Sequence, residues 1–347
     1  MTVRKSLRRC VLAASSALFA VFSAASADQN VFPTPIELRK IENFKIGSDK
    51  QRFGRLEFAG GLEMTSRQQH FGALSGIAIE PDQAAFTAIA DTGFWLTGKL
   101  QRDPATNELM GIQDEVMRPM LDENHNVPTN KWGSDAEGIA RFPNGDLLVS
   151  FERLHRLAWF TENRIGELAP FRIQEPPVPM FELRHNRGFE AIAVGPADSV
   201  FDGRIVGVSE KSLDANRNIM AFVLNEDKSS FEFSVRRTDA FDVTDAAFLP
   251  TGQLLILERR FRITDGVSTR MREIQPEDIL PGATVDGEII LEADLSYQID
   301  NMEGLEVTMD PDGVPRLTLV SDDNHSLLQR NLIVEFRLVD PVPTPVN

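Results

Sequence analysis

From residue 74 onward the chain alternates short apolar runs with turns rich in Pro, Gly, Asn and Asp. Within the runs the period is two. In Asp146–Glu152, Leu147, Val149 and Phe151 fall on one side and Leu148, Ser150 and Glu152 on the other, the alternation of a β-strand. The turns Pro143-Asn144-Gly145-Asp146, Pro250-Thr251-Gly252 and Pro311-Asp312-Gly313 carry hairpin chemistry between such runs. One phrase recurs five times: a polar opener, an apolar strand, a turn, a second apolar strand and a closing acid. The copies are LSGIAIEPDQAAFTAIADTG (74–93), DAEGIARFPNGDLLVSFER (135–153), FEAIAVGPADSVFDGRIVGVSEK (189–211), TDAAFLPTGQLLILERR (244–260) and MEGLEVTMDPDGVPRLTLVSDDN (302–324).

Taking Ser75, Glu137, Glu190, Asp245 and Glu303 as the openers, the spacings are 62, 53, 55 and 58 residues. That length holds one four-stranded sheet with its turns, the size of a propeller blade. An all-β propeller is therefore expected over residues 28–340, with five blades on this count. Six are allowed if Ile36–Ile46 and its neighbours form a further one. After Glu303 there is room for only three strands, so Arg55–Thr65 is expected to supply the fourth and close the ring. Residues 276–280 read as a brief helical turn, and 103–130 as a long hairpin followed by a loop. Trp95, Trp132 and Trp159 are assigned to packing between blades.

In a propeller the innermost strands surround the axis. The openers and the closing acids Asp91, Glu152, Glu210, Glu258 and Asp322 should then share one rim, because the end of strand two lies beside the start of strand one. Carboxylates crowded in this way need raised pKa values, arginine partners or a bound cation. Hard oxygen donors favour calcium, or magnesium with retained waters. Glu137, Glu190, Asp245, Glu258, Glu303 and Asp322 are the expected ligands. Arg187, Arg259 and Asn324 are expected to hold an anionic substrate, and Glu152 or Glu210 to activate water. The alternative is that the acids fix blade geometry by accepting backbone N–H groups or pairing with arginine. His70, His125, His155, His185 and His325 show no metal-binding spacing, no G-x-S-x-G elbow is present, and Ser75 reads as a turn residue.

Residues 1–27 have the form of a cleaved signal peptide: Arg4, Lys5, Arg8 and Arg9, an apolar stretch Val11–Phe22, then Ala25-Ser26-Ala27. Arg8-Arg9 leaves twin-arginine export as an option beside general secretion. Cys10, the single cysteine, would leave with this segment, so no disulfide or thiolate chemistry is expected. The formal charge of −16 would become −20, with 32 basic and 52 acidic residues. Such a surface repels nucleic acid and anionic lipid. A periplasmic or secreted monomer, without membrane insertion and acting on a small molecule, is expected. Residues 341–347 form a proline-rich tail.

Several of these phrases together resemble the phytase-like domain of exported bacterial proteins labelled esterase-like. They are Phe71–Gly76, Ala90–Gly93, Asp135–Ala140, Asn186–Glu190, Leu257–Arg259, Asn301–Gly304 and Ser321–Asn324 with Gln329. The resemblance covers about Phe53 to Arg337. It implies a propeller with clustered Asp and Glu in a phosphoester or ester hydrolase site. Calcium-dependent propeller phytases are similarly acidic but six-bladed, and this chain has no run of Lys and Arg suited to a hexaphosphate. A simpler phosphodiester or carboxylic ester is the expected substrate. The alternatives are a calcium-dependent lactonase-like hydrolase and a non-catalytic binding propeller.

Overall fold

The computed structural model describes residues 30–178 and 188–339. The expected signal segment, the tail and Arg187 lie outside the described residues. Alternating apolar runs pair into five antiparallel sheets, each ordered from an inner strand outward. Blade 1 holds Leu74–Ile79, Ala85–Ala90, Phe94–Arg102 and Leu109–Pro119; blade 2 holds Ala136–Arg141, Leu147–Phe151, Arg156–Phe160 and Arg172–Gln174. Blade 3 is Phe189–Val194, Ile205–Leu213, Ile219–Leu224 and Ser230–Val235, and blade 4 is Asp242–Phe248, Leu254–Arg262, Gly266–Ile274 and Glu288–Ala293. Blade 5 joins Asn301–Met309, Pro315–Asp322 and Asn331–Leu338 to Leu56–Thr65 from the beginning of the chain.

That last pairing is the expected closure, with Asn331 opposite Met64 and Leu338 opposite Leu56. No sixth blade forms from residues 36–46; Glu37–Lys40 instead extends the outer edge of blade 5. The five inner strands touch in sequence and the fifth returns to the first. A closed ring needs as many interfaces as blades, and there are five buried apolar layers, one between each adjacent pair. Both faces of a blade are therefore buried. Leu147, Val149 and Phe151 pack toward blade 1, while Leu148 packs toward blade 3. Trp95 meets Phe160 edge-on across the first of these interfaces, 5.0 Å between ring centroids. Trp132 corrects the expectation made for it: it is 51% exposed, on the short helix Lys131–Ser134.

A polar clamp reinforces the closure. Arg102 of blade 1 donates both terminal nitrogens to Glu335 of blade 5 at 2.7 Å, and Glu335 also accepts from Arg316 at 2.8 Å and Thr318 at 3.1 Å. Glu335 and Arg316 have no exposed side-chain surface. Removing the carboxylate leaves two guanidiniums without their shared partner in the interior. Glu335→Ala is expected to cost about 3–5 kcal/mol, read as a lower denaturant midpoint at unchanged slope. An unaltered midpoint would show that the clamp does not support the ring.

Candidate functional site

Every inner strand begins with a β-bulge, where pairing with the second strand slips by one residue. The extra residue is Ser75, Glu137, Glu190, Thr244 or Glu303, according to the blade. A bulge re-aims its side chain, which here places five equivalent residues around one mouth. The blades approach so closely at this level that a Cβ added to Gly138 would lie 2.1 Å from the Glu190 carbonyl oxygen. Glycine at that position is a packing requirement. In the blades with hydroxyl openers, Ser75 donates to the Ala136 carbonyl at 2.7 Å and Thr244 to that of Met302 at 3.0 Å.

The second strands end beside these openers. Asp91, Glu152 and Glu210 donate their backbone N–H groups to Ala73, Asp135 and Gly188, while Arg259 pairs with Asp242 and Asp322 with Asn301. The expected shared rim therefore forms, except in blade 4. There the register puts Thr244 and Arg259 at the equivalent positions, displacing Asp245 and Glu258 by one residue each. Asp245 has no exposure and accepts backbone N–H groups from Ala246 at 2.8 Å and Leu305 at 2.6 Å. Glu258 has none either and is held by Arg270 and Arg272 at 2.6–3.1 Å. Neither joins the acidic cluster.

The remaining acids crowd one another. Asp135, Glu137 and Glu152 offer oxygens that all lie within 4.8 Å of each other. Burial, then repulsion from Asp135, Glu152, Asp91 and Glu303, raises the Glu137 carboxyl well above the usual range. Glu190 is raised in the same way, by burial and then by Glu210, Glu303 and Glu137. Burial also raises Glu303, against the nearby Arg259 charge, and Glu152, against a 3.1 Å N–H from Gly188. Asp322 is pushed up to about 7, mainly by burial, although the Asn324 N–H donates to its Oδ1 at 2.6 Å. That backbone bond is how Asn324 enters the site.

Cations border the cluster. Arg259 lies 3.1 Å from Glu303 and 3.7 Å from Glu210, and also donates to Asn301. Lys211 contacts Glu210 and lies 3.1 Å from Asp242. Lys131 binds Asp91 at 2.6 Å, and Arg153 binds Asp135. The Arg153 guanidinium sits 6.0 Å from the exposed Trp132 ring, which gives this mouth an aromatic edge.

The donor set fits a hard divalent cation. It consists of carboxylate oxygens whose repulsion is incompletely offset, and Asp91 Oδ1 is buried with no hydrogen-bond partner. Asp135, unassigned beforehand, is one of the three closest donors. Its position ahead of the Glu137 bulge was the available signal.

Over residues 69–325 the sequence matches a family described as phytase-like, with esterase-like activity of phytase. No curated protein matches the chain. Among solved structures, it is similar to virginiamycin B lyase from Staphylococcus aureus, at 12% identity over 90% of this chain and 76% of that one, TM-score 0.38. It is also similar to the PQQ-bound aldose sugar dehydrogenase of Streptomyces coelicolor, at 12% identity over 88% and 99%, TM-score 0.41.

The raised carboxyls set the sign of a pH effect. A group protonated up to about 7 when folded, but only to about 4 when unfolded, favours the folded state at low pH and withdraws that support as pH rises between the two values. For Asp322 alone the loss is on the order of 3–4 kcal/mol. Asp310, lowered through its arginines against the effect of burial, loses its contribution only below this window. His70, lowered by burial, opposes the trend as a single group. In chelator the protein should melt lower at pH 8 than at pH 5, and calcium should raise the pH 8 melt more. A chelated melt that climbs from pH 5 to pH 8 would contradict this.

Proposed function

Because the chain belongs to the phytase-like family, we propose that it is an exported, metal-assisted hydrolase of a phosphoester or related ester, working at the acidic mouth of the propeller. The observation that carries this reading is the convergence of Asp135, Glu137 and Glu152 within 4.8 Å, with Arg259 on the same ring. Those three carboxylates would hold calcium, with Glu190 and Glu303 completing the negative surround. Bound there, calcium would polarise the ester oxygen as a Lewis acid.

The other roles follow from local charge. Arg259, partly exposed and within 3.1 Å of Glu303 and 3.7 Å of Glu210, would orient an anionic group. Glu210 is engaged by Lys211 and Arg259, which suits it to fixing those cations. Asp322, raised to about 7, has the proton affinity for acid–base work near neutrality. As carboxylate it accepts a proton from the attacking water, and as acid it returns one to the departing alkoxide. Trp132 offers an apolar surface for the leaving group.

The test is turnover of p-nitrophenyl phosphate, bis(p-nitrophenyl) phosphate and p-nitrophenyl butyrate by purified protein with calcium or EDTA. Calcium-dependent release of nitrophenolate is expected from at least one. Glu137→Gln should reduce it on the order of 100-fold or more, and Asp322→Asn should flatten the neutral limb of the pH–rate profile. Failure on all three substrates in calcium would leave the acidic mouth as a binding or structural feature.

A further inference from the structure

We propose that the mouth opposite the acidic ring is a separate binding site for an apolar organic cation, a molecule with a hydrocarbon body and one ammonium group. A cavity of about 760 Å³ opens there, at the far ends of the inner strands. Its floor is Ile139, Ile192 and Leu305, and Phe142, Phe248 and Met309 stand around the opening. Pro81, Pro143, Pro196 and Pro250, one from each of four blades, occupy the surrounding turns. Their fixed φ angles make the rim rigid and the cavity preformed.

Comparing the blades isolates two residues in this wall. Three positions beyond each bulge residue stand Ala78, Ala140, Ala193 and Ala247 in blades 1 to 4, but Glu306 in blade 5. One position further stand Ile79, Val194, Phe248 and Val307, but Arg141 in blade 2. Four alanines in five show that blade geometry does not require a carboxylate where Glu306 lies. Burying one there is costly without a partner.

Arg141 supplies only a partial offset, its nearby charge lowering the Glu306 carboxyl. It is engaged by Glu162, and no ion pair joins it to Glu306 among the described residues. Burial pushes the Glu306 carboxyl up to about 7, even though the Val307 N–H donates to Oε1 at 3.1 Å and the Arg141 charge and the Ile79 N–H act against it. Among the described residues, Glu80, Asp82, Glu162 and Glu306 line the cavity against a single guanidinium, that of Arg141. An apolar chamber with surplus negative charge selects a cation with a hydrocarbon body over an anion or a neutral polar molecule.

The test uses hexylamine and hexanol in titration calorimetry on the calcium-loaded protein, with thermal melting alongside. Hexylamine is expected to bind saturably and raise the melt, with hexanol about tenfold weaker or worse. Glu306→Ala, which installs the residue used by the other four blades, should fold, melt no lower than the parent and lose the preference for the amine. Glu137→Gln, at the opposite mouth, should keep it. Equal binding of amine and alcohol would overturn the proposal, as would retention of the amine by Glu306→Ala or no saturable binding. Binding is read without turnover, so this result stands or falls apart from the hydrolase reading.

Discussion

Ring closure forces like charges together in this protein. The ladder between Leu56–Thr65 and Asn331–Leu338 turns a row of five sheets into a circle. Only in a circle do the starts of all five inner strands face a common axis. Glu137, Glu190 and Glu303, distant in sequence, then repel one another through a partly desolvated space. The opposing gain comes from five apolar interfaces distributed around the ring, in which hardly any large core side chain retains solvent. Because burial stabilisation scales with area, such a ring can tolerate several unfavourable carboxylates at one end. The Arg102–Glu335 contact adds a directional element where chain beginning and chain end meet.

The bulges make that repulsion usable. A regular strand would send alternate side chains into the two neighbouring blade interfaces, where a carboxylate would be isolated. Slipping the register by one residue turns the opener out of both interfaces and toward the mouth. Close approach of the backbones behind it then demands a small residue, hence Gly76, Gly138 and Gly304. Blade 4 departs from this: Asp245 takes the glycine position and is accommodated by two backbone N–H donors, one of them from blade 5. The same carboxylate chemistry thus serves the site in one register and the scaffold in the next.

That single-residue difference explains what was legible in the sequence. Blade count, the closing strand and the shared rim follow from spacing and alternation, because hydrophobic period and turn chemistry are local properties. Side-chain assignment in blade 4 required the register. Aligning acid with acid selected Asp245 and Glu258. Glu137 to Glu152 spans the same fifteen positions as Thr244 to Arg259, and that ungapped match puts a hydroxyl and a guanidinium in the ring. Asp135 opens the second copy of the repeat, but its approach to Glu137 and Glu152 depends on the bulge register, which spacing alone does not give. Trp132 departs from the burial usual for tryptophan because the Asn130-capped turn carries it out to the mouth.

A repeated fold provides its own reference state. Where five equivalent positions share a residue type, packing explains it; where one blade departs, packing alone does not. At the acidic mouth the departures are Ser75 in blade 1 and Thr244 with Arg259 in blade 4, which flank Glu303 and separate it from the adjacent pair Glu137 and Glu190. Charge there is consequently asymmetric, with Arg259 placed between Glu303 and Glu210. At the other mouth the departures are Arg141 and Glu306, at inner-strand positions that the other blades fill with aliphatic or aromatic residues. The apolar floor formed by Ile139, Ile192 and Leu305 lies between these two ends of the axis. Each mouth therefore has its own polar chemistry built on the same five strands, and a substitution in one leaves the bulges and turns of the other in place.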